Sequence, residues 1–268
     1  MQVIGLCRFS WPCVGGFQVK HETLQERIDY LYAPARLEER FRTFETIMLP
    51  PLRAQSDADF TLLIVTGENL PAVWRDRLHD LVADMPQVIV QPLAPGQHRP
   101  SMQAAINAVR RFDDEPCLQF RMDDDDAVAC SYVHDLRAAA RDVRSLSRRF
   151  PFLAIDFNKG YVASAGPEGI RAVATNVPYT TAALALMLKP GEQRTIMNFA
   201  HQKMPQVMPT VTFAGKDMLI RGHNDFNDSR QKAGVRPVAL TPLTHAQEAH
   251  FKSVFNIDAD HVRRVFAA

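Results

Sequence analysis

The sequence predicts an α/β protein: a mainly parallel sheet flanked by helices. Three observations carry that prediction. Short apolar runs alternate with amphipathic segments through the first half of the chain. Those runs are apolar throughout, not at every second residue, as strands buried on both faces require. The densest cluster of charge, Asp123-Asp124-Asp125-Asp126, directly follows one of them, and in parallel sheets ligands gather beyond the carboxyl ends of the strands.

Val3 to Phe9 reads as the first strand. Leu37, Phe41, Phe44 and Met48 recur at helical spacing, and Pro50-Pro51 is expected to stop that helix. A second strand spans Phe60 to Thr66 and ends at Gly67. Pro71 opens a helix carrying Val73, Trp74, Leu78, Leu81, Val82 and Met85, with Pro86 beyond it. Val88 to Val90 is a third strand, Ser101 to Phe112 a third helix, and Cys117 to Met122 a fourth strand. An amphipathic helix from Ser131 to Ser147 follows the aspartates, with Tyr132, Leu136, Ala139, Ala140 and Val143 on its apolar stripe. The second half changes character. Phe152–Phe157 and Tyr161–Ala165 read as strands joined by a hairpin turn at Asn158-Lys159-Gly160. A helix is expected after Pro190-Gly191, then a strand at Asp217–Arg221. Thr244-x-x-Gln247 is a capping box that opens two short C-terminal helices.

Composition narrows the function. Lys and Arg total 31 against 30 for Asp and Glu, a net charge of +1 over 268 residues. That balance lacks the basic excess of a protein that coats nucleic acid or an anionic membrane. No apolar run approaches the roughly 20 residues of a membrane span. The start of the chain lacks the pattern of a secretion signal, so a cytoplasmic location is expected, with peripheral membrane association left open. Cys7, Cys13, Cys117 and Cys130 lack zinc spacing and are expected as free thiols.

Four adjacent carboxylates repel one another, so the run must be solvated or neutralised by a cation. A calcium-binding EF-hand loop is a poor alternative, because Val128 stands at the sixth position, where that loop needs glycine. Hard oxygens suit magnesium, manganese or calcium rather than zinc. A magnesium-type ion takes one or two carboxylates and completes its shell with phosphate oxygens, which points to a bound diphosphate. In an extended turn Asp123 and Asp125 would face one pocket.

A strand followed by Asp-x-Asp, in this order of elements, resembles the GT-A glycosyltransferase fold. Arg8-Phe9-Ser10, Phe60-Thr61-Leu62-Leu63, Arg121-Met122-Asp123-Asp124-Asp125-Asp126-Ala127 and Gly222-His223-Asn224-x-x-Asn227-x-Ser229 resemble the bacterial putative rhamnosyltransferase family more closely, over residues 1–230. The resemblance implies one GT-A-like domain: a nucleotide-sugar half at 1–130, a smaller mixed acceptor half at 131–230 and a helical segment at 231–268. It implies transfer of a sugar, rhamnose being one candidate, from a nucleotide-diphosphate sugar to a glycan or glycolipid acceptor, with Mn2+ or Mg2+ as cofactor. Asp123, Asp125, Asp126 and His223 are then the metal residues. Arg8, Ser10, Asp123, Asp124 and Asn224 are the donor contacts, with Asn227 and Ser229 as further loop contacts. Arg8 suits an anionic nucleotide on its own chemistry. Trp11 reads as packing in preference to base stacking, and Arg99 and Ser101 begin a helix whose amides could receive phosphate.

Three residues are candidates for the base that an inverting transferase needs. Glu192 stands roughly where inverting GT-A enzymes carry an acid, though Glu192-Gln193 departs from the usual Glu-Asp and Glu192 could simply complement a helix dipole. Asp156 is an acid within a strand. His201 reads equally as base or helix interior. Two other classes stay open: a metal-dependent nucleotidyltransferase, which would usually carry a Gly-rich phosphate loop after the first strand, and a non-catalytic divalent-cation or sugar-binding protein, which would bind without turnover.

Overall fold

The computed structural model describes residues 1–15, 21–223 and 238–268. In chain order the first half contains β1 (Val3–Arg8), α1 (Leu24–Leu31), α2 (Pro34–Thr43), α3 (Leu49–Arg53), β2 (Thr61–Gly67), α4 (Ala72–Val82), β3 (Val88–Leu93), α5 (His98–Val109), β4 (Cys117–Met122) and β5 (Ala127–Val128). The second half contains α6 (Tyr132–Asp142), α7 (Arg144–Ser147), β6 (Phe152–Phe157), β7 (Lys159–Gly166), β8 (Gly169–Asn176), β9 (Ala185–Leu188), α8 (Met204–Val207), β10 (Thr210–Phe213), β11 (Leu219–Gly222), β12 (Thr241–Pro242), α9 (His245–Phe255) and α10 (Ala259–Ala267).

Seven strands form the main sheet in the order β10-β6-β9-β4-β1-β2-β3, all parallel except β9. Its two faces bury different residues of the same strands. Val3 and Cys7 of β1, with Leu62 and Ile64 of β2, pack against Phe41, Phe44 and Leu78. Ile4 and Leu6, with Leu63 and Val65, pack against Met102, Ala105 and Ile106 of α5. Period-two alternation thus feeds two cores, and the expected double-sided sheet is what forms. Gly5 faces Phe120 of β4 across the pair, where a Cβ would stand 2.4 Å from the ring.

A second, five-stranded sheet has the order β12-β8-β7-β11-β5. It is mixed, and it does not coincide with residues 131–230: it takes β5 from the first half and β12 from the C-terminal segment, while β6, β9 and β10 stay in the main sheet. Asn158 is no hairpin turn: β6 stays in the main sheet and β7 enters the second one. The hairpin lies one strand later, where β7 pairs antiparallel with β8 through Gly166 and Gly169. At Gly169 φ is +102°, a conformation open to glycine.

Other differences have equally local causes. Pro50-Pro51 does not end the second helical segment. A π turn over Phe44–Met48 lets Leu49 donate to the Phe44 carbonyl, and the prolines enter a new first turn that needs no N–H there. The long helix after the aspartates breaks at Val143, between α6 and α7. Pro190-Gly191 leads into coil and two 3-10 turns, Ile196–Asn198 and His201–Lys203, and Glu192 therefore caps no helix. The Thr244–Gln247 capping box forms as expected and starts α9. All four cysteines are free. No helix among the described residues is long and apolar enough to cross a membrane.

Candidate active site

The aspartate run links the two sheets, β4 delivering the chain from the first and β5 receiving it into the second. Two strands that belong to different sheets cannot continue straight into each other. The chain turns between them: the Asp126 amide donates to the Asp123 carbonyl at 3.1 Å, closing a β-turn. The carboxylates therefore diverge. Asp123 and Asp125 share a cavity as expected, but a turn brings them there in place of strand alternation. Asp126 lines the same space.

Each of the four has a distinct environment. Asp123 is half exposed and stands 3.4 Å from Arg8. Asp124 turns away from the cavity into the core, fully buried, and accepts a 2.7 Å bond from Arg40 Nε. It is a structural anchor, in correction of its expected role as donor contact. Its Oδ1 has no partner among the described residues. Asp125 packs against Gly222, where a Cβ would stand 2.4 Å from its Cγ. Asp126 accepts from the Gly222 amide at 3.0 Å and the Asp123 amide at 3.1 Å, which engages both its oxygens and ties β11 to the turn.

Burial pushes the carboxyls of Asp124, Asp125 and Asp126 upward, and their mutual repulsion adds to it for Asp125; Asp126 rises to about 7. A nearby positive charge would reverse that penalty.

The cavity encloses about 320 Å³, within the range of small-ligand sites. Among the described residues four arginines line it: Arg8 from the end of β1, Arg99 from the first turn of α5, Arg121 from β4 and Arg221 from β11. Arg121 is the residue that sequence reasoning passed over as part of a motif. Its signal was an arginine inside an otherwise apolar strand, Cys117-Leu118-Gln119-Phe120-Arg121-Met122. Burial lowers its pKa to about 10, so it still carries its charge at neutral pH. His98 was also missed, because α5 begins three residues earlier than its apolar stripe suggests. Its Nε2 lies 2.8 Å from Arg8 Nη1. Since a guanidinium can only donate, Nε2 accepts and the ring proton sits on Nδ1.

Burial, then the charges of Arg8, Arg121 and Arg99, lower the His98 pKa to about 3. The unfolded chain takes up a proton at this position near pH 6.5, the folded one only near 3. Stability contributed by the neutral ring is thus complete above about 6.5 and falls as pH drops through that window. His98→Gln keeps an acceptor for Arg8 and removes the titration. Its thermal midpoint, measured in chelator at about pH 7.5 and 5.5, is expected to fall less than that of the native chain. The carboxylates respond alike in both proteins, so the difference isolates His98.

The wall from the second half of the chain includes Thr181, Met197, Phe199, Ala200 and His201. Gln119 of β4, fully buried, positions it by accepting from the Ile196 amide at 3.0 Å.

Several expected contacts lie elsewhere. Ser10 is buried in a left-handed conformation and accepts from Arg36 at 3.3 Å, away from the cavity lining. Trp11 is packed in the core, with its indole N–H 3.3 Å from the carbonyls of Leu93 and Ala94. Ser101 does not line the cavity, whereas Arg99 does. His223 lines a separate small pocket with Asp125, Thr43 and Ile220, behind Gly222. Asn224, Asn227 and Ser229 lie outside the described residues. Glu192 is paired with Arg194 at 3.0 Å, which holds its carboxyl below the usual range, and it does not reach the cavity. Asp156 is buried in β6, also outside the cavity lining, and accepts from the Tyr179 amide and the Thr212 hydroxyl, both at 3.0 Å. Neither acid is placed as a base.

Among the described residues no group of three or more His, Cys, Asp or Glu side chains is arranged to hold a metal ion by itself. With Asp126 on two amides and His223 in the other pocket, the expected set of Asp123, Asp125, Asp126 and His223 does not converge on one point. Asp123 and Asp125 remain as cavity-facing carboxylates. That donor set fits an ion of the magnesium or manganese type, which needs one or two carboxylates and shares itself with phosphate.

A mainly parallel sheet thus carries a charged cavity at the carboxyl ends of β1 and β4, the edge of an α/β sheet at which ligands bind. A family model described as "Putative rhamnosyl transferase" matches residues 2–236, and the chain belongs to that family. No curated protein matches it. Among solved structures, the chain is similar to S. aureus TarS 1-349, with a TM-score of 0.46, 9% identity, and coverage of 83% of this chain and 60% of that one. The same TarS fragment in complex with UDP-GlcNAc gives 0.45 and 9%, with 85% and 60% covered. UDP-glucose pyrophosphorylase complexed with UDP-glucose gives 0.32 and 11%, with 71% and 77% covered. The chain thus spans about three fifths of the TarS fragment it matches.

Proposed function

We propose that this protein transfers a sugar from a nucleoside-diphosphate sugar to a hydroxyl of a glycan or glycolipid acceptor, a rhamnosyl group being the sugar that the family description suggests. The observation that carries the reading is the meeting of four arginines with Asp123 and Asp125 in one cavity at the strand ends. A diphosphate carries the charge that such a set of guanidinium groups binds through paired, directed hydrogen bonds. Bond cleavage adds negative charge to the departing diphosphate, and fixed donors in a partly dry site stabilise that charge without reorganising. Asp123 and Asp125 would hold the divalent cation, which when bound supplies Lewis-acid neutralisation of the same oxygens.

The test is calorimetry and hydrolysis across UDP-, GDP- and dTDP-sugars, with Mn2+ or Mg2+ and with chelator. At least one donor is expected to bind and turn over. Asp125→Ala is expected to lose about 100-fold or more in rate, the scale of removing one preorganised charge-stabilising group. Binding of no nucleotide sugar, or undiminished turnover by Asp125→Ala, would sink the proposal.

A further inference from the structure

With Glu192 and Asp156 both outside the cavity lining, His201 is the one of the three expected base candidates that lines the cavity. We infer that His201 is the general base of the reaction, held for that task through the backbone of Tyr179 by the buried carboxylate of Asp156. This assignment rests on the transferase reading of the cavity.

The argument begins at the ring. His201 lines the cavity, at the start of a 3-10 turn. Its Nδ1 stands 2.7 Å from the Tyr179 carbonyl oxygen. A carbonyl can only accept, so Nδ1 carries the proton and Nε2 carries the lone pair. The tautomer is thereby fixed as the one that can take a proton at Nε2. The carbonyl would also stabilise the imidazolium that forms.

The carbonyl is itself held in place. Tyr179 adopts φ +61°, a left-handed conformation that costs a non-glycine residue about 1 kcal/mol or more. Ala182, three residues on, has φ +83°. Such strain persists only where surrounding contacts enforce it. Here Asp156 Oδ1 accepts the Tyr179 amide at 3.0 Å, while its Oδ2 accepts from Thr212, its cross-strand partner on β10. A buried carboxylate that touches no substrate thus sets the backbone that orients the histidine. Asp156 acts as a positioning residue, and the acid seen in the sequence has a role one step removed from the chemistry. Burial, with the charges of Arg121 and Arg221, lowers the His201 pKa, so the ring is neutral and able to accept at neutral pH.

The step balances as a single displacement. The acceptor O–H gives its proton to His201 Nε2, and the oxygen forms a bond to the anomeric carbon. The bond from that carbon to the diphosphate oxygen breaks, and its electron pair leaves with the diphosphate. Water in place of the acceptor yields the free sugar by the same transfers.

The experiment uses the full chain, with UDP, GDP and dTDP as binding probes in Mn2+ and hydrolysis of the matching nucleotide sugar as the rate. His201→Asn keeps an N–H for the Tyr179 carbonyl but has no basic nitrogen. It is expected to bind the nucleoside diphosphate within about twofold of the native Kd and to lose about 100-fold or more in rate, the usual contribution of a general base. Asp156→Ala is expected to lose about tenfold in rate at unchanged Kd, with most of it restored by Asp156→Asn, which still offers the Tyr179 amide an oxygen. A His201→Asn rate within about threefold of native overturns the assignment and leaves the transferase reading standing. Loss of nucleoside-diphosphate binding in both His201→Asn and His201→Gln also overturns it, because the ring would then be building the site. Failure of the native chain to bind any of the three nucleotides overturns the transferase reading along with it.

Discussion

Arg40→Ala is expected to destabilise the fold by about 3–5 kcal/mol, the range for stranding one member of a buried ion pair. Arg40 reaches from α2 and is 7% exposed; Asp124, at 0%, receives it at 2.7 Å beneath the turn that links the two sheets. The other carboxylate oxygen already lacks a partner among the described residues. Without the guanidinium, a full charge would remain in a site whose burial already pushes the carboxyl upward. The protein can escape only by protonating it. The native-state pKa is raised above the unfolded value, so the penalty grows as pH rises between the two and shrinks as pH falls below both. Urea midpoints at about pH 8 and 5 should therefore show a larger gap between Arg40→Ala and the native chain at the higher pH. Pairing Arg40→Met with Asp124→Asn removes both charges and is expected to recover most of the loss. A single-variant cost under about 1 kcal/mol would show that the pair is solvated and does not anchor the turn.

The parts of this fold that were legible in the sequence share a physical simplicity. β1, β2, β4 and β6 are apolar on both faces because both faces are covered, and such runs stand out wherever they occur. The aspartate turn was legible for a related reason: four adjacent carboxylates must be solvated or neutralised, and they stand at the strand end where ligands gather. β9 was hidden. Ala185-Leu186-Met187-Leu188 has the composition of a helix, yet it fills the slot between β4 and β6, and tertiary context decided against propensity. The passage of β7 into another sheet was equally hidden, since Asn158-Lys159-Gly160 is good turn chemistry and only the partner strands reveal which sheet each run joins.

The site divides along the same line. Residues adjacent in sequence were found as a cluster, but their roles depended on direction. Asp123 and Asp124 are neighbours, and one meets the cavity while the other meets Arg40. No periodicity rule separates them, because a β-turn has none. Arg121, Arg221, His98 and His201 come from four separated segments and converge only through the crossing of two sheets. A strand arginine in an apolar run and a histidine that read equally as base or helix interior were the traces that the sequence held of that convergence.

Gly222→Ala should abolish most activity while leaving the chain folded. Gly222 ends β11, and a Cβ there would stand 2.4 Å from Asp125 Cγ, 2.5 Å from Oδ2 and 2.6 Å from Cβ. No real pair of atoms tolerates such distances, so Asp125 must leave its position or β11 must withdraw. Overpacking of this kind typically costs about 1–3 kcal/mol, which most folded chains survive. The catalytic cost is larger, because a proposed cation ligand displaced by about 1 Å can cost about 100-fold in rate. β11 also delivers Arg221 to the cavity and the Gly222 amide to Asp126, so either adjustment disturbs the same wall. A double-mutant cycle separates this account from general damage. If the methyl acts through Asp125, Gly222→Ala introduced into Asp125→Ala should cost little further activity and little further stability, since the colliding side chain is gone. If the two losses add in full, the methyl acts elsewhere and the proposed placement of Asp125 as the buried member of the cation pair falls.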